Sequence, residues 1–270
     1  MRKTPLPYRV WEPKGGLVQL GAYPGSWLMG ADVPQLLGYH GNELRAFDDL
    51  FGGKNDWRNQ TNLALLELFA VRFVVLGQDQ TLPGFHRVLG PLTTRVGSQA
   101  LLYEADTLPP YVRLMAGAVL APEDQIAPTV ANPRFPSTLV AVYSERDSLK
   151  PADLKGQLPA PASASARIVE WDAGRMRIAI EGSDPRPLYL VISENWYKDW
   201  SARIDGKPAP VFRAQNTLLS VVVPTGAREV TLDFASPEYA RGKLISLAAL
   251  LVALGLMLAP RFRKGTVAHA

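Results

Sequence analysis

Apolar positions along the chain change period several times, and each change marks a candidate element. Tyr8 to Trp11 reads as a short extended start. Over 42–51, Leu44, Phe47, Leu50 and Phe51 recur at helical spacing and Gly52-Gly53 follow, which predicts an amphipathic helix with a glycine stop. A second helix, LALLELF, is predicted to be capped by Asn59 or Thr61 and to lead into a β-branched run, Val71 to Leu76, that ends at Gly77. Strand-like stretches come next: Ala100–Glu104, Tyr111–Leu120 and Thr138–Tyr143, parted by turns such as Leu108-Pro109-Pro110.

The segment KPADLKGQLPAPASASA, 150–166, has few large apolar residues and reads as a linker or long loop. Beyond it the alternation is regular, with strands expected at Arg167–Asp172, Met176–Glu181, Leu188–Ser193, Ser201–Ile204, Pro210–Ala214, Leu218–Val223 and Glu229–Phe234. Asp205-Gly206 between two of these is a strong two-residue hairpin signal, and Pro224-Thr225-Gly226 is a second turn. Short strands so spaced predict an antiparallel sandwich. The last long pattern is different in kind: LISLAALLVALGLMLAP, 244–260, holds no charge, with Arg241 and Lys243 before it and Arg261, Arg263 and Lys264 after. Such a run predicts one transmembrane helix whose basic flanks snorkel to the interfaces. A buried helix of a soluble core is the alternative. The bridge from the sandwich, Ser236 to Gly242, is short, so the sandwich is expected near the membrane surface.

The expected fold class is therefore α+β: a mixed α/β domain over 1–145, a Pro/Ala/Ser-rich linker over 146–166, a β-sandwich over 167–240, a transmembrane helix over 243–261 and a short basic tail over 262–270. The length of 270 residues accommodates this, and the near-neutral average composition excludes a disordered polyelectrolyte. The absence of cysteine removes thiol catalysis, disulfides and cysteine zinc sites. A net charge of +4, from scattered Lys and Arg, offers no basic stripe for nucleic acid. No secretory signal opens the chain.

Candidate chemistry is sparse. The three histidines, His40, His86 and His269, lack zinc-helix spacing, and there is no phosphate-cradling glycine loop, dinucleotide fingerprint or nucleophile elbow, so no catalytic residue, metal or cofactor is assigned. Asp48-Asp49 fall on the polar face of the first predicted helix and read as solvated. Tyr39-His40, flanked by Gly38 and Gly41 ahead of that helix, suit contact with an anion or sugar hydroxyl, or simply form the loop-to-helix turn. Trp196, Tyr197 and Trp200 are the densest aromatic cluster, suited to stacking a glycan or to packing within the sandwich.

The segment from Tyr189 to Ser246 resembles the C-terminal signature of the bacterial YfhO family of membrane proteins. In that signature Trp200, Asp205, Gly206, Lys207, Asn216, Pro224, Gly226, Pro237 and Gly242 occupy the motif places. PYRV, GYHGNELRAFDDL and LLELFAVRFVVLG resemble the family's extracytoplasmic region. Asp199 and Arg228 depart from the pattern, at places where Gly and His are frequent, and receive no role. The resemblance implies a part of a longer polytopic protein similar to GT-C glycosyltransferases, which use polyprenyl-phosphate sugars to decorate cell-envelope polymers. The catalytic region of that family lies in N-terminal membrane helices that have no counterpart here. The implied chain is thus a C-terminal piece in the bacterial cytoplasmic membrane, its bulk outside the cytoplasm, meeting the lipid bilayer, a glycan or lipid-linked sugar, and a preceding polytopic part. It would be an accessory or acceptor-binding part, not catalytic alone. The basic flanks of the span, two residues before and three after, lean towards a cytoplasmic tail. Two other readings stand beside it: a structural module that packs on a membrane partner, and a soluble enzyme with 244–260 buried.

Overall fold

The computed structural model describes residues 8–13, 28, 33–36, 44–53, 56–94 and 97–262. Residues Met1–Asp233 form one compact unit and Phe234–Ala270 a second.

The first unit begins with β1 (Arg9–Trp11), α1 (Arg45–Leu50), α2 (Leu63–Leu68) and β2 (Val71–Leu76). Both helices are single-sided. Phe47 and Leu50 of α1, and Leu65, Leu66 and Leu68 of α2, are buried. Gly52 and Gly53, at φ of 101° and 93°, end α1 as their positive φ requires. The cap of α2 is Asn62 rather than Asn59 or Thr61: its side chain accepts from the N–H groups of Ala64 and Leu65. Asn59 instead donates its amide to the Leu50 carbonyl at 2.9 Å. Asp48 is buried on α1, so of the Asp48-Asp49 pair expected on the polar face only Asp49 is solvated.

Strands β3 (Phe85–Thr93) and β4 (Gln99–Ala105) complete a four-stranded sheet of order β1-β2-β4-β3, in which β1 and β2 are parallel and the other pairs antiparallel. Its inner face meets an aromatic cluster of Trp11, Phe47, Phe51, Trp57 and Phe69, with centroids 4.7 to 6.3 Å apart. The expected strand over Tyr111–Leu120 is broken at Ala116 into β5 (Val112–Met115) and β6 (Gly117–Ala121), which join different sheets. An unanticipated helix, α3 (Glu123–Ala131), then carries the chain from β6 to the parallel strand β7 (Val140–Ser144).

Residues 165–234 hold β8 (Ser165–Asp172), β9 (Arg175–Glu181), β10 (Leu188–Asn195), β11 (Trp200–Ile204), β12 (Lys207–Ala209), β13 (Phe212–Ala214), β14 (Leu218–Val223) and β15 (Glu229–Phe234). One sheet has the order β13-β14-β10-β5 and the other β12-β11-β15-β9-β8. The strand expected at 210–214 is β13, and a short strand that was not expected, β12, precedes it in the other sheet. Side chains of both sheets share one apolar cluster: Leu190, Ile192, Leu219 and Val221 from the first, Met176, Ile178, Val230 and Leu232 from the second.

The first of these sheets is buried on both faces. Tyr189 and Val191 of β10 enter the cluster formed with α1, α2 and β7, whereas Leu190 and Ile192 face the other sheet. An unbroken apolar run is the sequence mark of that position. Contacts therefore cross the boundary expected at 146–166, since β5 pairs with β10 along Val112–Met115. The segment over 150–164 has no helix or strand, yet it is fastened down. Asp184 accepts from the Ser163 N–H and hydroxyl at 3.0 and 3.1 Å, and Arg186 reaches the carbonyls of Ala160 and Pro161 at 3.1 and 3.3 Å. A Cβ on Gly117 of β6 would come within 2.9 Å of Pro159 and 3.1 Å of Leu154, so the segment lies directly on that strand.

The second unit holds α4 (Pro237–Phe262). The helix begins six residues earlier than the expected span, with Ser236 as cap and Pro237 at the first helical position. The stretch foreseen as a bridge, 237–242, is its first turns. Pro237–Met257 is long and apolar enough to cross a membrane and none of it is buried. Leu244, Ile245, Leu250, Leu251 and Leu256 are all open, so the helix has no apolar stripe turned to a core. The alternative of a buried core helix is not what the structure shows.

Candidate functional site

Three turns place the functional candidates. At the end of β10 the pairing to β14 shifts between Ile192 and Asn195, a bulge that re-aims the strand before Trp196 and Tyr197. Ser193 and Glu194 of this bulge bind back to the body: Ser193 Oγ donates to the Leu68 carbonyl at 2.5 Å, and Glu194 accepts from the Tyr111 hydroxyl at 2.5 Å. Trp196 N donates to the Thr217 carbonyl at 2.7 Å. The direction of both aromatic residues is therefore set by strands and not by a free loop.

The second turn joins β13 to β14. Gln215 and Asn216 have φ of 49° and 70°, the left-handed pair of a hairpin turn, and neither is a glycine. Their side chains stabilise it. Gln215 is fully buried; its Oε1 accepts from Val142 N at 3.0 Å, and its Nε2 donates to the Ser137 and Val140 carbonyls at 2.9 and 3.2 Å. Asn216 Nδ2 donates to the Ala46 carbonyl at 2.6 Å. The third turn follows β7, where Ser144 N donates to Asp147 Oδ2 at 3.1 Å and Arg146 N to Ser144 Oγ at 3.2 Å.

These turns, with the start of α1 and the start of α3, surround a cleft of about 550 Å³. That volume lies within the ~300–1,000 Å³ range of small-molecule sites. Leu44, Arg45 and Ala46 form one wall, and Glu123, Ser144, Arg146 and Asp147 a second. Trp196 and Tyr197, with Phe212, Arg213 and Thr217, form the rest. Arg213 forks between the Asn216 carbonyl at 2.9 Å and the Glu123 carboxylate, with which it makes a close ion pair. That guanidinium holds the Glu123 carboxyl below its usual value, with the Ser144 hydroxyl acting in the same direction. A carboxylate kept ionised and bonded in this way is a hydrogen-bond acceptor for ligand hydroxyls, not a proton donor.

Of the three aromatic residues singled out in the sequence, Trp196 and Tyr197 line the cleft together, and Tyr197 is 47% exposed. Trp200, on β11, is not among the cleft's residues and packs at the edge of the inter-sheet cluster. Tyr39 and His40 lie outside the described residues. The hairpin signal holds as geometry: Asp205 and Gly206 have φ of 47° and 79°, and β11 and β12 pair through them. Asp205 accepts from Arg228 N and Glu229 N at 3.1 and 2.9 Å, which binds the turn to β15. Lys207 is exposed at the start of β12. Pro224 and Gly226 form a closed turn through Ala227 N to Pro224 O at 3.2 Å, with Gly226 at φ of 82°. Pro237 and Gly242 belong to α4, and Gly242 has open space around it.

Of the cleft's charged residues, Glu123, Arg146, Asp147 and Arg213 were not anticipated. Glu123 opens α3, whose sequence EDQIAPTVA does carry an acidic start and buried Ile126, Ala127 and Val130 at helical spacing; Pro128 within it masks the signal. Among the described residues, no group of three or more His, Asp or Glu side chains is placed to hold a metal ion.

No family model and no curated protein matches this chain. Among solved structures, the arabinofuranosyltransferase AftD from mycobacteria is similar at 14% identity over 59% of this chain and 8% of that one, with a TM-score of 0.28. A mutant form of AftD gives 14% identity, 59% and 9% coverage and a TM-score of 0.29. The aligned part is less than a tenth of that enzyme's length, and a likeness so slight leaves function to be argued from the cleft.

Proposed function

We propose that this chain is the membrane-anchored, extracytoplasmic part of a YfhO-like, GT-C-type protein of the bacterial cytoplasmic membrane, and that its cleft binds a glycan acceptor or lipid-linked sugar without transferring it. The observation that carries this reading is the joining of Trp196 and Tyr197 to the Glu123–Arg213 pair in one cleft. Sugars present apolar C–H faces to aromatic rings and hydroxyls to charged forks, so aromatic and paired polar groups side by side fit them. This reading assigns no catalytic step to the cleft. Arg213 holds the Glu123 carboxyl below its usual value, so this group accepts hydrogen bonds and is not poised as an acid. An all-round apolar helix that follows β15 in sequence supplies the anchor.

The full chain in detergent, titrated with cell-envelope oligosaccharides while its tryptophan emission is followed, tests this. We expect saturable binding that Tyr197→Ala weakens about tenfold with an unchanged circular dichroism spectrum. No binding by any oligosaccharide would refute the reading, and sugar transfer from a polyprenyl carrier by this chain alone would refute its non-catalytic part.

A second reading, a structural module that packs on a membrane partner, draws on β3. Val88, Leu89 and Leu92 of this edge strand are 42 to 51% exposed. Loss of partner association, with glycan binding intact, on Leu89→Ser would favour it.

A further inference from the structure

The lining of the cleft itself carries three arginines, Arg45, Arg146 and Arg213, against two carboxylates, Glu123 and Asp147. Arg213 is neutralised by Glu123 and spends another donor on the Asn216 carbonyl. Asp147 is held by its own turn through Ser144 N. Arg45, almost fully exposed, is 3.8 Å from Asp49 one turn along α1. Arg146 has no ion pair among the described residues. Its backbone is nonetheless anchored, because its N–H donates to Ser144 Oγ and Asp147 N closes the same turn onto the Ser144 carbonyl at 3.0 Å. A fixed backbone thus carries a guanidinium that acts on Glu123 but closes no salt bridge among the described residues, at a cleft whose other walls present Trp196 and Tyr197.

A neutral sugar leaves that guanidinium to water. A carboxylate or phosphate on the sugar would take two of its N–H donors at once, the planar geometry for which arginine is suited. The Glu123–Arg213 pair meanwhile remains closed and can meet ring hydroxyls. We infer that the cleft selects a sugar bearing an anionic substituent, and that Arg146 is the residue that determines this selectivity. The inference rests on the cleft being a sugar site and narrows what that site takes.

Calorimetric titration of the full chain in detergent tests it with galactose, galacturonic acid and galactose 1-phosphate as probes. The acidic probes should bind about tenfold more tightly than galactose at low salt, and the preference should shrink as ionic strength rises. Arg146→Gln should bring the acidic probes down to the affinity of galactose, whereas Arg167→Gln, on β8 and outside the cleft, should leave the preference in place. Relative affinity for the uronate and the phosphate identifies which anion the cleft suits. Equal binding of galactose and the acidic probes, or a preference that survives Arg146→Gln, would overturn the inference and leave the sugar site standing. Absence of binding by all three, with Tyr197→Ala also without effect on oligosaccharides, would overturn both.

Discussion

Asn216 and Ala46 stand 170 residues apart in sequence, and the Asn216 side-chain amide donates to the Ala46 carbonyl at 2.6 Å. The bond ties the β13–β14 turn to the start of α1, where Ala46 is one of the cleft's walls. Asparagine is also among the few residues that accept the φ of 70° found there. Replacement by Ala loses both properties, and replacement by Gly loses only the hydrogen bond. We expect Asn216→Ala to cost about 2–4 kcal/mol and Asn216→Gly about 1–2 kcal/mol, read as shifts in the urea midpoint. Equal costs would show that the backbone conformation contributes nothing.

The adjacent Gln215 satisfies Val142 N and the carbonyls of Ser137 and Val140 from a fully buried position. Gln215→Leu preserves volume and leaves these groups unpaired in an apolar site. Each buried unpaired group costs about 1–3 kcal/mol, so a loss of about 3 kcal/mol or more is expected. Amide exchange at Val142 should accelerate more than exchange in β9, which lies in the other sheet; uniform acceleration would count against a local role.

Acid should weaken the hold on the segment at 160–163 only below the ordinary carboxylate range. Arg186 beside Asp184, helped by Ser163 N–H, holds this carboxyl far below the usual carboxylate range. A depressed value in the fold means that the stabilisation is present above the ordinary carboxylate value of about 4 and is lost as pH falls through the folded value. The wild-type chain should therefore exceed Asp184→Asn in stability at pH 5, and the gap should narrow below pH of about 4. Limited proteolysis at pH 5 should cut the variant within 150–166 at least several times faster. Identical cleavage rates would mean that the Asp184–Arg186 clip does not restrain the segment.

Helix α4 should tolerate charge at its ends and not at its middle. Arginine near the centre of a span costs about 3 kcal/mol on insertion scales, so Leu251→Arg should shift the chain from carbonate-resistant membranes towards the soluble fraction. Tyr239→Arg, in the first turns beside Arg241, should not. Equal retention of both variants would exclude α4 as the anchor.

Much of the architecture was legible because it is local. Period-two alternation marked the strands of 165–234, Asp205-Gly206 marked its hairpin, and the uncharged run at 244–260 marked α4. Local pattern failed where one stretch serves two layers. Tyr111–Leu120 read as one strand, yet the break at Ala116 sends its halves to different sheets, and the short β12 ahead of β13 gave no strand pattern of its own. It failed also at Asn62, since three neighbouring polar residues offer similar caps and packing selects among them.

For the site, the sequence by itself determined that Trp196, Tyr197 and Trp200 form an aromatic cluster beside strands, that no catalytic motif accompanies them, and that an apolar helix follows. Tertiary structure alone decided that Trp196 and Tyr197 line a cleft with Glu123, Arg146 and Arg213, and that Trp200 does not. It alone decided that the Pro/Ala/Ser-rich segment is clipped to β6 and not free. The physical reason is range. Periodicity and turn chemistry act over a few residues, whereas the cleft is assembled by hydrogen bonds such as Gln215 to Val142 and Asn216 to Ala46, whose partners only folding brings together.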